Sequence, residues 1–323
     1  DILTDDSVQV VLPDLSAGCS MADMAAYDDT VEAWETLSDA IGASTRIIPI
    51  TYVNSSAAIK AFVGERGGAC CTSSNARQVF EWALAGGTQP KRDDEEIRIL
   101  FLPDQHLGRN TASSFGFLTE IDEAAGRGPS DTLLWQPKKD HGGVTDEEIR
   151  AARIYLWAGH CSVHKLFRPE HADDVRAQFK DKGGITVLVH PECAKEVVDK
   201  ADLSGSTEYI IRQIEQAKPG TNWAIGTEIH LVARLAKHAA ERGVFVRILS
   251  DCQCLCTTMY RIDPPHLLWT LDNLAEGRVV NRIEVHPEAK RLAKLALERM
   301  LAHTASGSVS IKSRSNTEPT LVD

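Results

Sequence analysis

Long apolar runs are missing from this chain. No stretch approaches the roughly 20 residues that cross a bilayer as a helix, which argues against a membrane protein. Basic charge is short as well. Lys and Arg number 35 against 46 Asp and Glu, a net charge of −11 with a pI near 5.5. A chain this acidic has no diffuse attraction to nucleic acid or to an anionic membrane. The opening residues, Asp1-Ile2-Leu3-Thr4-Asp5-Asp6, carry neither a basic n-region nor an apolar h-region, so nothing there reads as a secretion signal. Starting on Asp1 rather than Met and running almost at once into an apolar segment, the chain reads as one whose beginning is absent. Cysteine is scarce: eight thiols in 323 residues are too few for a disulfide scaffold and point to a reducing cytoplasm with free or metal-bound thiolates. A P-loop, G-x-G-x-x-G, H-E-x-x-H and G-x-S-x-G are all absent.

What remains is ordinary globular composition, 43% hydrophobic and 25% charged, in a length that suits two or three domains. Short apolar runs alternate with amphipathic stretches, as in an α/β fold with parallel sheets. The clearest strand candidates are Val8–Leu12, Ile47–Val53, Ile97–Leu102, Ile185–Val189 and Val244–Leu249. Helices are expected at Ala57–Val63, Ala76–Ala85, Thr145–Ala158, Ala172–Lys180, Thr207–Ala217, Thr227–Arg242 and Pro287–Ala302, the last opening on a proline as helices often do. Three strands run into proline beside a carboxylate: Pro13-Asp14, Pro103-Asp104 and Pro191-Glu192. That pattern suggests related βα modules with functional loops at the strands' carboxyl ends, although Pro-Asp also opens ordinary turns. Residues 126–143 read as a surface insertion and 304–323 as a disordered tail.

Among the thiols, Cys252-Gln253-Cys254-Leu255-Cys256 has the wrong spacing for a zinc ribbon. Continued as a strand, it spreads three sulfurs along one face, too far apart for one small ion. One of the three would then act with distant cysteines. Cys19 and Cys161 qualify, since each follows a glycine-containing loop past an apolar run, and three thiolates from separate modules would hold a [4Fe–4S] cube with its fourth iron open. Read without further context, these are better explained as buried structural cysteines. Tyr52 and Asn54 share a face at a strand end. Thr72-Ser73-Ser74-Asn75 and Gly205-Ser206-Thr207 open helices, where they cap or bind an anion. His190-Pro191-Glu192 offers an acid–base pair.

Nine strings, in order, carry a resemblance: VVLPDLSAGCSMADMA (10–25), TYVNSSAAIKA (51–61), CTSSNA (71–76), FLPDQHLGRN (101–110), LWAGHCSVHKLF (156–167), VHPEC (189–193), SGST (204–207), GTEIHL (226–231) and CTTMYRI (256–262). Together, from about residue 8 to 303, they closely resemble the quinolinate synthase (A protein) family. The resemblance implies condensation of iminoaspartate with dihydroxyacetone phosphate to quinolinate, with loss of phosphate and two waters, in de novo NAD synthesis. It implies three similar αβα modules in pseudo-threefold arrangement around one [4Fe–4S] cluster, with Cys19, Cys161 and Cys256 as its ligands. The other cysteines, Cys70, Cys71, Cys193, Cys252 and Cys254, are then bystanders. Substrate-binding positions match Tyr52, Asn54, Ser73, His190, Glu192, Ser206 and Thr207, of which Tyr52, Glu192 and His190 are the catalytic candidates. The expected partition is 1–25 as the remainder of an incomplete first module, 26–160 as the second with an insertion around 113–155, 161–256 as the third, and 257–303 as a C-terminal helical region. L-Aspartate oxidase or aspartate dehydrogenase would supply the iminoaspartate. The family's N-terminal His-x-Tyr strand end finds no match, so a catalytically incompetent, cluster- or metal-binding remnant is the alternative, and a zinc-site protein a weaker third.

Overall fold

The architecture follows from short runs such as Ile97–Leu102, whose residues are buried whichever way they point. A strand covered on both faces reads as a continuous apolar run, and parallel sheets flanked by helices are made of such strands. The computed structural model describes residues 1–4, 7–42, 44–251 and 254–304. Cys252 and nearly all of the stretch expected as a tail lie outside them.

The first sheet contains β1 (Thr45–Tyr52), β2 (Ala69–Cys71), β3 (Glu96–Leu102), β4 (Thr132–Trp135) and β5 (Ile154–Trp157), in the order β2-β1-β3-β5-β4 and parallel throughout. One face is covered by α1 (Tyr27–Ala40), α2 (Ala57–Glu65), α6 (Asp146–Ala151) and α12 (Pro287–Ala302), the other by α3 (Ala76–Leu84) and α4 (Gln105–Ser114). The short α5 (Glu120–Ala124) lies between α4 and β4. Gly64 lets α12 lie against α2, because a β-carbon there would sit 2.0 Å from the Leu292 carbonyl oxygen.

The second sheet contains β6 (Thr186–Val189), β7 (Leu203–Ser204), β8 (Asn222–Gly226) and β9 (Phe245–Ile248), in the order β7-β6-β8-β9, again all parallel. Its covering helices are α7 (Pro169–Phe179) and α8 (Lys195–Lys200) on one face, α9 (Thr207–Glu215) and α10 (Ile229–Ala240) on the other. α11 (Pro264–Ala275) follows the second sheet.

Three expectations need correction. Val8–Leu12 is not a strand of either sheet. It makes a single antiparallel bridge, Val11 to Arg282, because it lies against an irregular segment and Val8 is 51% exposed. The helix expected at Thr145–Ala158 stops at Ala151. A Thr145/Glu148 capping box starts it, but Ile154–Trp157 is buried on both sides as β5, where the β-branched and aromatic run outweighs helical spacing. The surface insertion supplies β4, an edge strand whose Trp135 is 2% exposed and packs against the core beneath α1 and α6. Among the described residues there are two parallel sheets; residues 1–25 contribute one 3-10 turn, Ala22–Met24, and no strand.

Candidate active site

Register decides what the loops bring together. Tyr52 pairs with Cys71 and Thr51 with Leu102, so the first sheet's strands end in line. Val189 pairs with both Ser204 and Gly226 in the second. Loops at carboxyl ends are where open α/β sheets hold ligands, and here the two rows of loops meet.

Four of the expected residues form one hydrogen-bonded chain. The Glu192 backbone N–H donates to His190 Nδ1 at 3.4 Å, so that nitrogen is an acceptor and the ring proton belongs on Nε2. Nε2 lies 3.2 Å from Ser73 Oγ. Ser73 bonds the Tyr52 hydroxyl, which bonds the Glu192 carboxylate. With His190 donating at one end and a carboxylate accepting at the other, the order is His190 Nε2–H to Ser73, Ser73 to Tyr52, Tyr52 to Glu192. All but Ser73 are deeply buried.

Burial pushes His190 down to about 3, against the opposing pull of Glu192, so the ring is neutral. Burial would raise Glu192, but His190, the His164 ring and the Tyr52 hydroxyl outweigh it and hold the carboxyl near 2. Tyr52 is pushed well above its ordinary value by burial and by the Glu192 charge. A base and a neutral phenol thus stand in contact at neutral pH.

Three neighbours were not among the expected site residues, although Asp104 stands out in the sequence as a strand-end carboxylate. His164 stacks on His190 with centroids 4.6 Å apart, and its Nδ1 lies 3.2 Å from Glu192 Oε2. Asp104 is fully buried. It caps α4 by accepting from Leu107 N at 2.7 Å and also accepts from Cys161 N at 3.2 Å. Burial and the Glu192 charge push its carboxyl up to about 8. Gly159 permits that contact, since a β-carbon there would meet the Pro103 carbonyl oxygen at 2.3 Å. Asn110, on α4, donates to the carbonyls of Pro191 at 2.8 Å and Cys193 at 2.9 Å, tying the first sheet's helix to the second sheet's His190–Glu192 loop. The signals were present: Cys161-x-x-His164 lies inside one quoted string, Asp104 and Asn110 inside another.

The remaining expected residues are placed less closely. Asn54 Nδ2 lies 3.9 Å from Cys19 Sγ. Ser206 is buried, but its hydroxyl caps α9 by accepting from Tyr209 N at 3.2 Å. Thr207 is exposed. Both follow β7, one strand away from His190, and neither joins the four-residue chain.

Cys19, Cys161 and Cys256 are half-buried, whereas Cys70, Cys71, Cys193 and Cys254 are fully buried. Burial raises the Cys19 thiol, and burial with the nearby Glu192 raises Cys161 to about 12. Cys161 borders both sheets' cores, with Cys19 beside one and Cys256 beside the other. Cys256 Sγ accepts from Met259 N at 3.5 Å and opens on a cavity of about 370 Å³ shared with Glu228, His230 and Tyr260.

Comparison with known proteins settles the lineage. Residues 1–302 match the family model described as quinolinate synthetase A protein. The chain belongs to the quinolinate synthase family. It is 54% identical over 301 residues to a quinolinate synthase of Acidobacterium capsulatum, covering 93% of this chain and 75% of the relative. Quinolinate synthases of a Nocardioides species and of Streptomyces coelicolor are 51% and 50% identical, with 94% of this chain matched to 72% and 71% of theirs. Like its relatives in name, this quinolinate synthase family member is an enzyme. Among the described residues, no helix is long and apolar enough to cross a membrane.

Proposed function

We propose that the chain is a quinolinate synthase that condenses iminoaspartate with dihydroxyacetone phosphate, releasing phosphate and two waters, in NAD biosynthesis in the cytoplasm. The family match over residues 1–302 carries this reading, and the buried Tyr52–Ser73–His190–Glu192 chain supplies acid–base groups that the reaction needs.

The thiols fit an iron–sulfur group. Three half-buried cysteines form no disulfide, two of them, Cys19 and Cys161, lie close enough to feel the Glu192 charge, and soft thiolates suit iron and sulfide. Cys19, Cys161 and Cys256 would hold a [4Fe–4S] cluster, which supplies an open iron as Lewis acid for a substrate oxygen. The protein's own groups do the rest. Glu192, ionised and sealed from water, takes a proton from the substrate. Tyr52 returns one, and Ser73 with His190 replenishes it. Asn54 orients a substrate carboxylate or carbonyl beside Cys19. Backbone N–H groups at Ser206 and Thr207 face the anionic end of a substrate.

The three-module reading rests on α11. Its buried residues are the polar Thr270 and Asn273, while Leu267, Leu268, Trp269 and Leu271 are each about half exposed. Patches of that kind mark interfaces. A further αβα module, lying in the length by which the relatives exceed the match, would cover it; residues 26–160 and 161–256 are then the other two, with 257–303 reaching back to the first sheet. An L-aspartate oxidase or aspartate dehydrogenase would supply the unstable iminoaspartate.

Anaerobic purification with iron and sulfide analysis and a quinolinate assay tests the assignment. Cys19→Ser, Cys161→Ser and Cys256→Ser should each lose the brown chromophore and turnover, whereas Cys70→Ser and Cys193→Ser should keep the chromophore. Turnover that survives aerobic chelator treatment would contradict a cluster-based mechanism.

A further inference from the structure

We propose that Cys161, His164 and Glu192 form a second kind of metal site, holding one divalent transition ion such as Zn²⁺ when no cluster is present. One donor atom from each residue lies within 4.8 Å of the others. His164 and Glu192 are both buried, and Cys161 is half-buried at the mouth.

Each donor is positioned for the role. His164 Nε2 lies 3.4 Å from Thr227 Oγ1, which anchors the ring and leaves Nδ1 for a metal. Nδ1 is buried and makes no hydrogen bond of good geometry, although Glu192 Oε2 is 3.2 Å away. Stacking on His190 fixes the ring plane. On the third side, Asp104 holds the Cys161 backbone N–H at 3.2 Å. One thiolate, one imidazole and one carboxylate make a borderline-soft set that suits Zn²⁺ or Co²⁺ and leaves a fourth position open. Zinc–donor bonds of about 2.0–2.3 Å place donors roughly 3.3–3.8 Å apart, so the Cys161 side chain closes by about 1 Å. On binding, the Cys161 sulfur becomes a thiolate on the metal and its proton passes to solvent.

The mononuclear site uses neither Cys19 nor Cys256, which separates it from the cluster. It shares Cys161 with the cluster, so the two cannot be filled together. That competition rests on the cluster reading above; the ion site itself does not.

The test titrates chelator-treated apoprotein with Co²⁺. The expected result is one Co²⁺ per chain, with visible d–d bands, a near-ultraviolet thiolate charge-transfer band, and displacement by Zn²⁺. Cys161→Ser should remove the charge-transfer band. His164→Ala and Glu192→Gln should each weaken binding by about tenfold or more, and Glu192→Asp should recover part of it. Cys19→Ser and Cys256→Ser should leave the spectrum unchanged. Spectral loss in Cys19→Ser or Cys256→Ser, or indifference to both His164→Ala and Glu192→Gln in variants with native circular dichroism, would overturn the proposal. Stoichiometric Zn²⁺ should also block reconstitution with iron and sulfide until a chelator is added. If the cluster reading is the one that fails, no brown chromophore forms with or without Zn²⁺, while the Co²⁺ spectrum persists.

Discussion

At the scale of single residues, burial sets the chemistry. Tyr52 sits between Ser73 and Glu192, so Tyr52→Phe removes the hydroxyl that joins them. General acid–base catalysis by one side chain contributes about 10²–10⁴-fold. Turnover should fall by that order with the cluster absorbance unchanged, and the acidic limb of the pH–rate profile should move. His106 illustrates the same physics away from the reaction. Burial, with the Arg109 guanidinium and the Lys165 ammonium nearby, lowers it from its ordinary 6.5 to about 3. Because the folded value is depressed, the unfolded chain takes up a proton that the folded chain refuses. The associated stability is present above about pH 6.5 and is lost as pH falls toward 3. Thermal melts of the apoprotein should show Tm falling through that window. His106→Gln should flatten the slope by one proton's worth; an unchanged slope would mean the ring titrates normally.

At the scale of elements, α4 joins the two sheets. Its first turn is capped by Asp104, which also holds the Cys161 loop, and its middle carries Asn110 to the Pro191 and Cys193 carbonyls. Leaving buried carbonyls without donors costs about 1–3 kcal/mol. Asn110→Ala should therefore lower stability by that order, measured by denaturant melts. It should also lower kcat more than it raises KM, because the loop it frees carries His190 and Glu192 rather than a substrate contact alone. Element by element, the sequence showed most of the long helices and the buried runs of β1, β3, β6 and β9. It did not show β2, β4, β5, β7 or β8. β2 and β7 are only three and two residues long, while β4 and β5 lie inside stretches that read as an insertion and as a helix, so no apolar run stands out there on its own.

At the scale of the whole molecule, the exposed apolar face of α11 is the unusual feature. Leu268→Lys and Trp269→Glu change exposed side chains, so the melting of residues 1–323 should move by less than about 0.5 kcal/mol. In a longer chain that includes a further module, the same changes should destabilise the assembly and raise amide exchange in α11. Equal exchange with and without the extra module would remove the interface reading.

The sequence by itself determined the α/β class, the alternation of runs and helices, and the family, because ordered strings such as GHCSVH and VHPEC survive as local patterns that need no neighbours to be recognised. It also located Tyr52, Ser73, His190 and Glu192 as polar groups at strand ends. Only the tertiary structure decided that these four touch one another, that His164 joins them, and that Asp104 and Asn110 hold the loops in place. Ser73 and His190 are 117 residues apart in the chain. Their contact depends on how two parallel sheets set their carboxyl ends against each other, a matter of long-range packing that no local spacing encodes.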